Sequence, residues 1–139
     1  MKRTNKRGFT LVELVVVIAV LLILAAIAIP TVSGVIKKAN ESADAANATS
    51  IETAIKYAIT CNETKTLPTI SGVDYTNGLT YGEALTISGI NVSVLTPKTV
   101  ATFFYNSTTN DVDLVTGSGY AAIDTNGEGI LIAATDIND

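Results

Sequence analysis

Lys6-Arg7-Gly8-Phe9-Thr10-Leu11-Val12-Glu13 opens the stretch whose reading decides the fold. It runs directly into Leu14 to Ile29, sixteen consecutive apolar residues, and no further charge appears until Lys37. On its N-terminal side Lys2, Arg3, Lys6 and Arg7 put four of the nine cations into the first seven residues. Basic segment, apolar segment, polar remainder is the order of a topogenic signal. Phe9 to Ile29 is 21 residues, roughly 32 Å of helix at ~1.5 Å per residue, enough to cross about 30 Å of hydrocarbon. The cations at the start place that end in the cytoplasm and the body outside.

The whole chain has 139 residues, one domain's worth, with 47% apolar and 16% charged, too apolar for a disordered polymer. Beyond Gly8 five basic residues face thirteen acidic ones, a balance of −8, which argues against nucleic-acid binding through bulk charge. There is no His, and Cys61 is the single cysteine. An intrachain disulfide, a thiolate–imidazole pair and a His-based metal site are therefore excluded. No grouping of residues fits nucleophilic catalysis, phosphate binding or acid–base work, so no enzyme, cofactor or metal is expected.

Two conventional readings of the N-terminus compete. A secretory signal cut after Ala28 would use Ala26-Ile27-Ala28 as its small-residue triplet. Against it stand Glu13 at the start of the apolar run and Pro30 two residues beyond the cut. A permanent anchor passes on length, but a carboxylate in a span costs on the order of 2.5–3.5 kcal/mol near the centre and less near an end. Such a residue usually has a partner.

Lys6 to Glu13 followed by an uncharged apolar helix resembles the prepilin signal of type IV pilins, closely over residues 6 to about 36 and in architecture afterwards. The resemblance implies a leader, residues 1–8, removed by a prepilin peptidase between Gly8 and Phe9, with N-methylation of Phe9. It implies that Glu13 pairs with the Phe9 amine of a neighbouring copy, setting register in a helical homopolymer. An α-amine titrates near pH 8, so it is cationic at neutral pH, and a charge-assisted pair offsets the cost of a carboxylate among apolar helices. A helix-start acid favouring the macrodipole is the plainer alternative for Glu13.

The resemblance further implies an α+β type IV pilin fold. Its apolar helix half, 9–31, protrudes from a head of residues 32–139. In that head an amphipathic helix half, 32–61, packs on a C-terminal antiparallel β-sheet within 62–139. Pro30 removes one amide donor and clashes with the carbonyl of Ala26, and Gly34 adds a second weak point. The expectation is a kink or local melting there. The implied partners are the peptidase, the membrane before assembly, an assembly platform, an assembly ATPase acting indirectly, and minor pilins. The implied location is a single-pass cytoplasmic-membrane precursor, then a surface pilus serving adhesion, motility, aggregation or DNA uptake. The major pseudopilin of a secretion or competence system is the alternative within the family.

From Val32 the apolar residues Ile36, Ala39, Ala43, Ala46, Ile51, Ile55 and Ile59 recur near the helical period, predicting a helix that ends near Cys61-Asn62. Strands are predicted at Asn91–Leu95, Val100–Tyr105, Val112–Val115, Tyr120–Ile123 and Ile130–Ala133, with hairpin loops at 106–110 and 124–129. Tyr81 to Leu85 is ambiguous, with a short helix as one reading. Many pilins of double-membrane bacteria clamp a C-terminal loop with a disulfide, and this chain has too few cysteines for one. Asp124-Thr-Asn126-Gly-Glu128 faintly resembles a calcium loop, but a tight turn is the better reading because the ligand series is too short.

Overall fold

The computed structural model of the chain describes residues 8–71, 73 and 75–138, so the expected leader, Gly8 apart, lies outside the described residues. One helix, α1, spans Leu11–Glu63. Its first half is rich in valine and isoleucine, which are mediocre helix formers in water. In hydrocarbon the backbone has no other way to satisfy its own donors and acceptors, so the same residues become helical. Its second half is alanine-rich and favours helix on propensity alone.

The chain divides into two compact units, Met1–Lys38 and Ala39–Asp139. In the first, every described residue is exposed, including Leu22 at 69% and Ile29 at 66%. In the second, α1 buries the stripe Asp44, Ala48, Ile51, Ala54, Ile55, Ala58 and Cys61. This is not the whole stripe that the periodicity predicted. Ala39 and Ala46 are exposed, and the inward face is set by positions one or two residues away. Small alanines on that face let the helix sit close to Leu85, Leu95, Phe103, Tyr105, Val112 and Ile123, which complete the main core.

After α1 come β1 (Leu79–Thr80), α2 (Tyr81–Ile87), β2 (Phe104–Asn106), β3 (Asp111–Asp113), β4 (Tyr120–Ala122), β5 (Ile130–Ile132) and α3 (Ala134–Asn138). The α+β plan is as expected, with the helix packed on antiparallel strands. The strands are shorter than expected and form two small sheets, β3-β2-β4 and β1-β5. β2 and β3 make the predicted hairpin, in the register Tyr105↔Val112. β4 and β5 do not form one. β4 pairs with β2 and β5 with β1, so residues 124–129 carry the chain from one sheet to the other.

Asn91–Leu95 is likewise not a strand. Val92–Leu95 forms a 3-10 turn, because the Asn91 side chain accepts from the Ser93 amide and caps it. The ambiguous segment at Tyr81 is helical, started by a complete capping box between Thr80 and Glu83. The C-terminal end is held without a cross-link. β5 lies against β1, Ile137 packs on the small cluster of Ala58, Leu79 and Ala84, and the Asn62 amide donates to the carbonyl of Asp136. Gly78 permits this closure: its φ is +103° and a Cβ there would lie 2.5 Å from the carbonyl oxygen of Ile132.

Asp44 is the unexpected member of the core. Its side chain is fully buried, and it accepts hydrogen bonds from the Lys98 amide (2.8 Å), the Thr99 amide (2.7 Å) and the Thr99 hydroxyl (2.5 Å). The residues just before β2 therefore bend around a carboxylate instead of extending the strand back to Val100. Burial alone would push this carboxyl up, but the Thr99 hydroxyl, the two amides and the nearby Lys98 charge hold it below the usual aspartate range. A depressed folded-state pKa stabilises the fold above the unfolded value, about 3.9, and that contribution is lost as pH falls through the folded value. We predict that Asp44→Ala, which strands three donors, costs on the order of 3 kcal/mol in urea unfolding of the chain. The variant should also flatten the loss of stability that the wild type shows below about pH 4. Parallel acid profiles for the two would refute the assignment.

Candidate assembly site

The residues singled out from the sequence fall on the first unit. Gly8 and Phe9 precede α1, and Phe9 is 90% exposed. Because α1 starts at Leu11, Phe9 is not yet one helical turn from Glu13 in this form. The partner that Glu13 has is Thr10. The Thr10 amide and hydroxyl both donate to Glu13 Oε2, at 2.8 and 2.7 Å, and the Glu13 amide donates back to the Thr10 hydroxyl at 3.3 Å. This is a capping box, Thr-x-x-Glu, satisfying donors that the first turn leaves unpaired. Both Thr10 bonds fall on Oε2, and Oε1 takes no hydrogen bond among the described residues.

Thr10 is absent from the residues singled out by sequence, although its signal is present there: a threonine three residues before a glutamate, directly ahead of an apolar run. Gly8 shows the opposite. A Cβ at Gly8 would meet nothing within 4 Å, so the described part of the chain gives no steric reason for a glycine there.

Pro30 and Gly34 lie inside α1, whose helical assignment is continuous across both. The bond from residue 30 to the Ala26 carbonyl is lost to the missing proline donor. Around it the hydroxyls add bonds. Thr31 Oγ1 donates to the carbonyls of Ile27 (3.0 Å) and Ala28 (2.8 Å), and Ser33 Oγ to that of Ile29 (3.1 Å). Such back-bonding satisfies the hydroxyl donors within the helix and tends to bend it. A Cβ at Gly34 would also meet nothing within 4 Å.

By length and composition α1 is a helix able to cross a membrane, and none of its apolar window is buried. Residues 3–29 match the family model described as the prokaryotic N-terminal methylation motif. The chain carries the class III signal of type IV pilins and pseudopilins. No curated protein and no solved structure matches it. With that class III signal in place, the exposed apolar helix fits membrane anchoring before assembly, and the motif implies processing by a prepilin peptidase.

Removing the cap should loosen the first turn. Thr10→Val is expected to speed amide exchange at Val12 to Leu14 in detergent micelles by about fivefold, corresponding to the ~1 kcal/mol that an N-cap is worth. Thr10→Ser should keep the wild-type rates. Unchanged exchange in the valine variant would show that the capping box does not hold the helix start.

Proposed function

We propose that the chain is the major structural subunit of a type IV pilus, cut between Gly8 and Phe9, methylated on Phe9 and polymerised through α1. The observation that carries the reading is the combination at its N-terminus: a class III signal continuous with an apolar helix half that is exposed throughout, and in its first turn a carboxylate whose Oε1 has no hydrogen-bond partner among the described residues. Once the leader is gone, Phe9 supplies a cationic amine within reach of helix-start carboxylates on other copies. A charge-assisted pair between that amine and Glu13 of a neighbour would fix axial register, since an unpaired carboxylate among packed apolar helices is costly. Lipid tails and neighbouring helices are about equally apolar, so the transfer from membrane to fibre is directed by packing and by this pair.

In this reading Gly8 serves the peptidase, whose site needs close approach to the backbone. Pro30 and Gly34 mark the part of α1 that softens once the helix is under the load of a fibre, where one hydrogen bond is already missing. An assembly platform, an ATPase elsewhere in the machine and minor pilins complete the partners, and the fibre is extracellular. Support for a structural role over catalysis comes from the motif and the fold.

Four outcomes test the proposal. Mass spectrometry of sheared surface material should find a subunit beginning with methylated Phe9, and a subunit beginning at Ile29 would remove the reading. Glu13→Ala should be cleaved normally but yield at most about a tenth of the surface filament, because the charge-assisted pair that sets register is lost. Gly8→Leu should leave uncut precursor in the membrane. Filaments too short to leave the envelope, seen by microscopy of intact cells, would replace the pilus with a pseudopilus.

A further inference from the structure

The lipid-compatible part of α1 does not end at Ile29. From Leu14 to Ile36 there are 23 residues without a charge, about 35 Å of helix against about 30 Å of hydrocarbon. Val32, Val35 and Ile36 are 54%, 67% and 55% exposed, so no described part of the chain covers them. The two hydroxyls in this extension, Thr31 and Ser33, are turned back onto helix carbonyls and present no unmet donor to lipid. The uncharged extension stops at Lys37-Lys38, both exposed.

We propose that Lys37 and Lys38 form an anionic-lipid site on the outer face of the membrane, holding phospholipid phosphates and fixing how deep the unassembled subunit sits. This rests on the membrane stage of the function proposed above. Lysine suits such a site because its flexible apolar stem lies along the helix while its ammonium reaches the headgroups. Two adjacent lysines point about 100° apart around a helix, so they engage different lipids. A span longer than the hydrocarbon is accommodated by tilting, and interfacial cations decide where a tilted helix stops. The rest of the chain makes the pair matter. The body past Gly8 is acidic, and loss of the leader would take away Lys2, Arg3, Lys6 and Arg7. Lys37 and Lys38 then become the only adjacent cations left in the sequence.

The test uses the full chain reconstituted in vesicles of phosphatidylcholine, with trace spin-labelled phosphatidylglycerol or phosphatidylcholine reporting lipid association. Amide protection of Leu14 to Ile29 is measured in the same samples to verify insertion. The chain should prefer the anionic lipid, and Lys37→Gln/Lys38→Gln should weaken that preference by up to about fivefold per lysine removed. Lys37→Arg/Lys38→Arg should keep it, and molar salt should abolish the difference. The leader cations contribute equally to every variant, so the difference isolates the pair. Equal preference in the wild type and the glutamine variant, with insertion intact, overturns the lipid site alone. Carbodiimide cross-linking of these lysines to carboxylates of a second copy in the vesicles also overturns it, in favour of a protein contact. Failure to insert overturns the membrane stage and the site together.

Discussion

From Leu14 to Ile36 the chain exposes more contiguous apolar surface than water tolerates, and the other features of the molecule answer to that constraint. Burying such a surface is favourable at roughly 25 cal/mol per Å², and nothing in the described chain does so. In the function proposed above, the cover is lipid before assembly and the helices of other copies after it. A helix that must live in either place has to meet its own polar requirements. Here the Thr10–Glu13 box closes the first turn, and the hydroxyls of Thr31 and Ser33 return to the backbone where proline has removed a donor.

The same chain has to solve the opposite problem in its second unit. There the helix is one wall of a small core whose strands are three residues long or fewer. Strands so short supply few ladder bonds, so packing and side-chain-to-backbone bonds carry more of the load. Asp44 tying down Lys98 and Thr99, Asn91 capping a 3-10 turn and Thr102 donating to the carbonyl of Ile123 are all of this kind. Lys56 adds an exposed link from α1 to the hairpin through Asp111 (3.8 Å), a contribution that water and salt keep small.

What can be read in the sequence is what depends on neighbours along the chain. The long helix follows from local periodicity and hydropathy, and the β2–β3 hairpin from two apolar runs flanking a turn-rich segment. The helix-start residues Gly8, Phe9 and Glu13 follow from a compact motif. The Thr10 cap is equally local, but it hides inside that motif, where the resemblance draws the glutamate toward a different reading. Partnerships between distant segments are not legible. Nothing near Asp44 announces that residues 54 and 55 positions further on will supply its donors, so its polarity points to the surface and its geometry to the core. Nor does the pattern at Ile130 reveal that its partner is Thr80 and not the strand just before it. Asn91–Leu95 alternates like a strand, but one side-chain cap is enough to wind it into a turn.

The head is sealed by non-covalent contacts alone, with β5 on β1, α3 tucked behind them and Cys61 buried without a partner thiol. Such a subunit needs no oxidant or disulfide isomerase to mature. A fibre built from it, as proposed above, would keep its shape in reducing surroundings that open thiol-clamped heads.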